Sequence, residues 1–414
     1  MGITGLLGCF KSVINPYDLE KLKGCKVAID GYSWLYKGSY SCAMDLCLNI
    51  DTRMHINYCV KKAKELVYFG IQPYFVFDGC SLPMKKRTEE KRSLSKEKAM
   101  ELGHKYLKLK NLKAAFSEFT KAVSIKPEYV YQLVQELKKE GITYVIAPYE
   151  ADAQMTYLVN EGIVDAAISE DSDLIVFGCK RTFYKCNGAN AHELRFQDIF
   201  KTTDWTISHL TFEQLQYTCI LSGCDYLESI QGVGLKTALK YVTKGKTIEN
   251  IFMEMKNDGK DVSDEYIEDF EKAVCTFKFQ RVFDPRNNRL TTLNPLPSHI
   301  DTKKIEFIGP YMTDEVATQL AQCKINPKNM KPFTSIESQS SQPLQNLTSK
   351  MNANTTMSPL EKRGPLDKFF SIKTRTSEKR TLKSTSNAAE AKKSKRVDRN
   401  SNHKVTDLQS PYFL

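Results

Sequence analysis

The chain has 414 residues, 41% of them hydrophobic and 26% charged, and carries a formal net charge of +11. This length allows one large catalytic domain and a tail, and the composition is typical of a globular protein. The chain lacks an apolar run long enough for a transmembrane helix, and its first residues show neither a secretory nor a myristoylation signal. The twelve cysteines form no CxxC pair, which argues against zinc or disulfide frameworks and favours a reducing compartment.

Charge is distributed unevenly along the chain. Residues 331–414 contain 16 Lys and Arg against 7 Asp and Glu, whereas the 330 residues before them contain 44 against 42. The tail is also rich in Ser, Thr, Asn and Gln, a composition that cannot bury enough apolar surface to offset the entropy of ordering. We therefore predict a disordered basic tail after a folded body that is nearly neutral.

Strand-like apolar runs alternate with helical patterns through the first 330 residues. This alternation predicts an α/β fold with a mostly parallel central sheet flanked by helices. The predicted strands are Lys26–Asp30, Pro73–Asp78, Thr143–Ala147, Ala166–Ser169 and Thr182–Lys185, and the predicted helices between them include Ile56–Phe69, Pro127–Glu140 and Ala151–Glu161.

Residues 81–125 combine Lys, Arg and Glu with Leu, Tyr and Phe at helical spacing, which predicts two helices standing off the sheet as an arch. Six residues here loosely follow the pattern of one tetratricopeptide unit: Gly103, Tyr106, Ala114, Phe119, Ala122 and Pro127. A single unit cannot bury its own apolar face, so the simpler interpretation is an amphipathic helical pair.

Acidic residues follow four of the predicted strands: Asp30, Asp78, Glu150, Asp152, Asp171 and Asp173. Because the carboxyl ends of parallel strands meet at one edge of a sheet, we expect these acids to converge on one site. Six neighbouring carboxylates repel one another, and a hard divalent cation with oxygen ligands removes that conflict. The pattern predicts a site for two ions of Mg²⁺, with Mn²⁺ as a substitute, that hydrolyses phosphodiesters. The alternative is that these acids only cap helices or form turns.

A seventh acid, Asp225, precedes a Gly-Val-Gly turn between two helical stretches, with Lys236 shortly after it. Gly232 and Gly234 would let backbone N–H groups approach a DNA phosphate, and the next helix would offer its N-terminus. This pattern predicts an element that holds duplex DNA without reading its sequence.

Basic and aromatic residues lie next to two of the strand-end acids. Lys85 and Arg92 belong to a basic stretch after Asp78, and Tyr32 and Tyr36 follow the first strand. Cations here would draw in the scissile phosphate, and the rings would stack on unpaired bases. The alternatives are a solvated helix face and ordinary core aromatics.

These motifs resemble those of the structure-specific 5′ nucleases, the family that includes flap endonuclease and the excision-repair nuclease of xeroderma pigmentosum group G. The resemblance runs from Met1 to about Asn326. Three segments are similar to the exonuclease branch in particular: Phe77–Lys85, Ala147–Gln154 and Cys219–Leu227. The motifs that carry it are Met1–Leu7, Val76–Gly79, Ala147–Gln154, Ser169–Asp173 and Gly223–Tyr226. The resemblance implies a Mg²⁺-dependent 5′→3′ exonuclease on double-stranded DNA that also cuts 5′ flaps, in mismatch repair, end resection and recombination.

The resemblance also implies roles for single residues. All seven acids would hold two Mg²⁺, with Asp30, Asp78 and Asp173 taking part in catalysis together with Lys85 and Arg92. Tyr32 and Tyr36 would meet the bases near the cut, although the position of Tyr36 is often His in this branch. Gly232, Gly234 and Lys236 would bind DNA, and a potassium ion would lie among Ser222, Ser229, Ile230 and Val233.

The resemblance suggests a division into an N-terminal nuclease region (1–99), the remainder of the arch (100–137), an internal nuclease region (138–230), a helix-two-turn-helix with the last helices (222–330) and the tail (331–414). In the tail, Leu366–Phe370 resembles a sliding-clamp peptide, with Arg363 where Gln is usual. Gln409–Phe413 resembles a motif that binds MutL homologues, with Pro411 in place of a basic residue.

Lys392–Arg396 predicts nuclear import, and we expect a monomer in the nucleus with no membrane attachment. Two other functions stay open: a flap endonuclease proper acting in replication, and a catalytically silent DNA-binding scaffold.

Overall fold

The computed structural model describes residues 2–297 and 305–333. Its strands are β1 (Asn15–Asp18), β2 (Lys26–Asp30), β3 (Gln72–Phe77), β4 (Thr143–Ile146), β5 (Ala166–Ile168), β6 (Arg181–Asn187), β7 (Asn190–Arg195), β8 (Arg281–Asp284) and β9 (Arg289–Thr292). Its helices are α1 (Gly31–Ser39), α2 (Ala43–Cys47), α3 (Met54–Tyr68), α4 (Lys86–Lys108), α5 (Leu112–Ala122), α6 (Pro127–Lys139), α7 (Ala151–Asn160), α8 (Asp173–Phe177), α9 (Phe212–Leu221), α10 (Leu235–Gly245), α11 (Ile248–Asn257), α12 (Asp264–Phe279) and α13 (Asp314–Ala321). The predicted tail motifs at Leu366–Phe370, Lys392–Arg396 and Gln409–Phe413 lie outside these residues.

Seven strands form the central sheet in the order β1-β7-β6-β5-β2-β3-β4. Strands β2 to β6 are parallel, while β7 is antiparallel to β6 and to β1. The chain first builds outward from β2 to β3 and β4, and then returns to add β5 and β6 on the other side of β2. Open sheets of this kind bind ligands beyond the strand ends where the order reverses, which here is between β2 and β5. The prediction of a mostly parallel α/β fold is confirmed.

Both faces of the sheet are covered by helices. Alternate residues of β2 point to opposite faces, so Val27 and Ile29 pack on one side and Ala28 on the other. The first side is closed by apolar residues of α1, α3 and α6, such as Leu133, and the second by those of α7 and α8, such as Met155. This double cover holds the carboxyl ends of the strands rigidly in place.

The five predicted strands are present, with ends shifted by one or two residues. Two further strands of the sheet, β1 and β7, were not predicted. β1 has the sequence NPYD and is largely exposed at an edge, while β7 alternates in burial although its sequence, NAHELR, is mostly polar. Neither strand shows the apolar alternation by which strands are recognised.

The predicted pair of arch helices is confirmed by α4 and α5. At Gly103 of α4, a β-carbon would lie 2.7 Å from the Phe119 ring of α5, so only glycine allows this approach. Ala115 is fully buried whereas the neighbouring Ala114 is partly exposed, so Ala115 rather than Ala114 takes the alanine position of the tetratricopeptide-like pattern. On its other side α5 contacts α2, where the Cys47 thiol donates to the Phe119 carbonyl at 3.5 Å.

Two further findings bear on the expectations from composition. Within residues 2–297 and 305–333, every helix is too short or too polar to cross a membrane. The cysteines are all unpaired thiols.

Candidate active site

Two strand-end acids are held by backbone N–H groups at the starts of helices. Asp30 ends β2 and caps α1, where its Oδ1 accepts from the Ser33 amide at 2.9 Å. Asp78 follows β3, and its Oδ1 accepts from the Ala151 amide at the start of α7 at 2.8 Å. Because these donors belong to the backbone, the two carboxylates have fixed positions before anything binds to them.

The acids converge on one cleft. A cavity with an empty volume of about 1280 Å³ is lined by ten of the predicted site residues: Asp30, Asp78, Glu150, Asp152, Asp171, Asp225, Lys85, Arg92, Tyr32 and Tyr36. Asp173 is the acid that does not line it. Its Oδ1 accepts from the Ile3 amide at 3.0 Å, and its own amide donates to Asp171 Oδ1 at 3.0 Å. Asp173 is thus joined to the cluster through Asp171.

Burial perturbs the protonation of the cluster. It is the main cause that raises the pKa of Asp30 to about 7. The negative charges of Asp78 and Asp171 raise this pKa further, whereas the hydrogen bond from the Ser33 amide lowers it. Burial followed by neighbouring carboxylates also raises the pKa of Asp152 and Asp173 well above the ordinary value. Burial is also the main cause that raises the pKa of Asp171, and the hydrogen bond from the Asp173 amide partly offsets it. A nearby cation would stabilise the ionised form of such carboxylates.

The base of the arch brings cations to the same cleft. Lys85 makes ion pairs with Glu150 and, at 3.0 Å, with Asp225. Arg92 reaches both oxygens of Asp225, at 2.7 and 3.0 Å. Burial would raise the pKa of Asp225, but Lys85 and Arg92 outweigh it and lower that pKa. Burial likewise works to lower the pKa of Lys85, but the acids prevail and raise it well above its ordinary value.

The cluster has the chemistry that a hard divalent cation requires. Its donors are carboxylate oxygens, and Asp152 Oδ1 is buried without a hydrogen-bond partner. An unpaired buried oxygen of this kind is costly unless a cation or water meets it. In the part of the chain that the structure describes, however, no group of three or more Asp, Glu, His or Cys side chains is arranged so that it could hold a metal ion as it stands. The donor atoms are of the kind that Mg²⁺ binds, while Lys85 and Arg92 already pair with Glu150 and Asp225.

Some residues around the acids were not predicted from the sequence. Ser169 Oγ donates to Asp30 Oδ2 at 3.2 Å, and Gln280 Nε2 donates to Glu150 Oε2 at 2.8 Å beside the hydroxyl of Tyr226, which contacts the same oxygen. A β-carbon at Gly2 would overlap the side chains of Asp171 and Ser172. The partners of Glu150 are separated from it by 76 and 130 residues, so no local pattern could have revealed them.

Tyr36 has a partner on the arch. Lys96 of α4 donates to the Tyr36 hydroxyl at 2.9 Å, and its Nζ lies 5.1 Å from the centre of the ring. Tyr32 packs edge-on against Phe77, with the ring centres 6.4 Å apart, and burial raises the pKa of its hydroxyl. The two tyrosines therefore differ: Tyr36 is linked to the arch, and Tyr32 to the sheet.

The predicted helix-two-turn-helix is formed by α9, α10 and the segment between them. The two turns are made at Gly223 and Gly232, which adopt φ angles of 98° and 79°. Gly234 precedes α10, and Gly232, Gly234 and Lys236 are all exposed, as contact with a phosphate requires. Gly223 lies against Ser229, which brings Ser222 near Ser229, while the Val233 amide donates to the Ile230 carbonyl at 2.9 Å. The four residues predicted for potassium thus border the same two turns.

Comparison with known proteins places this site in a family. The XPG N-terminal domain matches residues 1–99 and the XPG I-region matches residues 141–225. The DNA damage-inducible protein DIN7 of Saccharomyces cerevisiae is 35% identical over 311 residues, which are 74% of this chain and 72% of that protein. The chain belongs to the XPG family of nucleases. The resemblance drawn from the sequence is thereby confirmed.

Other relatives are consistent with the similarity to the exonuclease branch that the sequence motifs predict. Exonuclease 1 of Oryza sativa subsp. japonica is 41% identical over 337 residues, which are 80% of this chain and 40% of that protein. Exodeoxyribonuclease 1 of Schizosaccharomyces pombe is 36% identical over 329 residues, or 79% of this chain and 57% of that protein. The chain thus spans about half the length of these relatives. In fold, it is similar to the catalytic core of Rad2 in complex with DNA substrate, with a TM-score of 0.53, 17% identity, and coverage of 77% of this chain and 99% of the other.

Proposed function

We propose that the chain is a Mg²⁺-dependent 5′→3′ exonuclease on double-stranded DNA that also cuts 5′ flaps. The observation that carries this proposal is the cleft in which six acids meet Lys85 and Arg92. Its relatives named exonuclease 1 and exodeoxyribonuclease 1 support the exonuclease activity. Mismatch repair, end resection and recombination in the nucleus are the settings that follow from it.

The seven acids would hold two Mg²⁺ ions, or Mn²⁺ in their place: Asp30, Asp78, Glu150, Asp152, Asp171, Asp173 and Asp225. Bound divalent ions make water a nucleophile near neutral pH and stabilise charge on the attacking and leaving oxygens. Asp30 and Asp78 keep their orientation through the amides of Ser33 and Ala151. The side chains that move least are therefore those at the centre of the cleft.

Lys85 and Arg92 would hold the scissile phosphate. Both already contact carboxylates in the cleft, and a phosphate entering there offers them another anion at the same place. Their charge would stabilise the negative charge that develops on the phosphate oxygens. Tyr32 and Tyr36 would contact the bases next to the cut.

The helix-two-turn-helix would bind the duplex at a position distant from the cleavage site. The exposed backbone at Gly232 and Gly234 and the exposed Lys236 suit a phosphate contact, since small residues at a helix N-terminus let N–H groups approach an anion. A potassium ion among Ser222, Ser229, Ile230 and Val233 would join these turns to the same phosphate. A sliding clamp and a MutL homologue remain predicted partners of the tail.

The proposal is tested with a duplex labelled at a recessed 5′ end and a matched 5′-flap substrate, each with and without Mg²⁺. Release of labelled mononucleotides that requires Mg²⁺ supports the exonuclease. Cleavage of flaps alone identifies a flap endonuclease proper.

Asp173→Ala should abolish cleavage and preserve DNA binding, with Asp261→Ala, an exposed acid outside the cleft, as control. No cleavage by the unaltered protein on either substrate would indicate a DNA-binding scaffold.

A further inference from the structure

The far end of the arch carries an apolar surface that the nuclease function leaves unused. Four large side chains there are exposed: Leu102 by 41%, Leu109 by 66%, Leu112 by 61% and Phe116 by 41%. Leu102 lies on α4 and Leu109 comes directly after the last residue of that helix. Leu112 and Phe116 are one turn apart on α5 and therefore lie on one side of it. We call these four residues the arch-tip face. Exposed apolar groups that lie together commonly mark an interaction site.

The internal packing of the arch explains why this face has no cover. The α4–α5 pair follows the tetratricopeptide pattern in Leu102-Gly103-x-x-Tyr106 and Ala115-x-x-x-Phe119. Ala115 and Phe119 are fully buried within the pair. In a repeat array, the remaining apolar face of each unit is covered by the helices of the next unit. Within the part of the chain that the structure describes, the arch-tip face instead remains open to solvent.

The charge around the face is strongly positive. Lys105, Lys108, Lys110 and Lys113 are interleaved with its apolar residues, and all four are exposed. Among the ion pairs of residues 2–297 and 305–333, none involves these four lysines. By contrast, Lys121 at the far end of α5 pairs with Glu118 at 2.7 Å. A partner would therefore need acidic groups next to its apolar ones.

We propose that the arch-tip face binds an acidic amphipathic helix of a partner protein. Such a helix would bury its apolar side on Leu109, Leu112 and Phe116 and pair its acids with the four surrounding lysines. This proposal goes beyond the nuclease function and does not depend on it.

Three other occupants fit the face less well. Single-stranded nucleic acid could also pair its phosphates with the lysines, but its bases stack on aromatic rings, and the most exposed side chains here, Leu109 and Leu112, are aliphatic. The tail of this chain has a large excess of Lys and Arg and would be repelled. A second copy, joined face to face across a twofold axis, would bring two sets of lysines together.

The test measures binding of a fluorescein-labelled peptide of about 20 residues, with Leu at helical core spacing and Glu elsewhere, to the full-length chain. Fluorescence anisotropy is recorded in EDTA, so that cleavage plays no part. We expect saturable binding that Leu112→Ser and Phe116→Ser each weaken about tenfold. The double change Lys108→Glu with Lys113→Glu should weaken it by at least as much, with the loss greatest at low salt.

Controls come from exposed positions of α3. Val67→Ser replaces an exposed apolar residue by serine, and Lys61→Glu makes one such charge reversal, so both should leave binding unchanged. Every altered residue is exposed, so thermal unfolding should match that of the unaltered protein.

The proposal is overturned if the peptide does not bind, or if it binds all variants equally. It is also overturned if the same arch-tip substitutions instead abolish binding of a 20-nucleotide oligothymidylate, or instead dissociate a dimer seen by sedimentation. Failure of the nuclease assay would leave this result untouched, since the peptide measurement needs neither Mg²⁺ nor DNA.

Discussion

The edge of the sheet and the base of the arch bring opposite charges to one cleft in different ways. At the sheet, Asp30 and Asp78 are held by backbone amides and lie among buried residues. At the arch, Lys85 and Arg92 reach the cleft on long side chains, and the Arg92 side chain remains 48% exposed. The acids are thus held by the backbone, whereas the cations are held by ion pairs with the acids themselves. A phosphate that entered the cleft could compete with those acids for the cations.

The largest effect should come from neutralising a rigid acid. Asp171→Asn keeps an oxygen that can accept from the Asp173 amide but removes the negative charge. We expect kcat on the labelled duplex to fall about 10³-fold with DNA binding nearly unchanged, because charge at this point acts on the reaction more than on binding. Asp261→Asn is the control. Residual activity above a tenth would contradict the importance given to the rigid cluster.

A smaller loss should follow removal of a cation at the base of the arch. Lys85→Met keeps the length of the side chain and removes its charge, which contacts Glu150 and Asp225. We expect kcat to fall about 10²-fold, because neighbouring Arg92 still provides one charge near the phosphate. Lys86→Met, one residue further along and exposed, should change little. Equal losses from both variants would mean that the arch acts only through its overall charge.

The burial of the acids should also make the stability of the fold depend on pH. The pKa of Asp30 is raised to about 7, mainly by burial. The folded state therefore keeps a proton that the unfolded state loses near pH 4. The stability from that proton is fully present below pH 4 and is lost as pH rises through about 7.

Asp30→Asn should remove this loss. In EDTA at pH 8 the variant should exceed the unaltered protein by roughly 1–4 kcal/mol in free energy of unfolding, and the gap should close towards pH 4. Urea unfolding across this pH range measures it. A gap that is the same at every pH would show that ionisation of the buried Asp30 carboxyl is not its cause.

The smallest effect should come from the contact that joins the arch to Tyr36. Lys96→Met removes the donor to the Tyr36 hydroxyl, and Tyr36→Phe removes the acceptor but keeps the ring. Each should raise KM about two- to fivefold with kcat unchanged, because they affect how the terminal base is held. In the double variant the two effects should not add, since either change alone breaks the contact. Additive losses would mean that Lys96 and Tyr36 act separately.

The acids at the edge of the sheet were largely predictable from the sequence, whereas the arch cations and their partners were predictable only in part. Asp30 and Asp78 end apolar strands, and parallel pairing brings such ends together whatever the distant contacts are. The pairing of Lys85 with both Glu150 and Asp225 depends on where a helix of 23 residues stands relative to the sheet. Local patterns contain no such information. The same limit hid β7, whose polar sequence is buried only because β1 and β6 lie on either side of it.

The hydrogen bond from Ile3 to Asp173 also determines when the site can form during synthesis. The first residues to leave the ribosome must wait for a partner 170 positions later, and the cleft lacks the last of its six acids until Asp225 has been made. At about 5–20 residues per second, the interval between Asp30 and Asp225 lasts roughly 10–40 s. During that interval the nascent chain carries an incomplete set of buried acids. Translation itself thus delays the moment at which the cleft is complete.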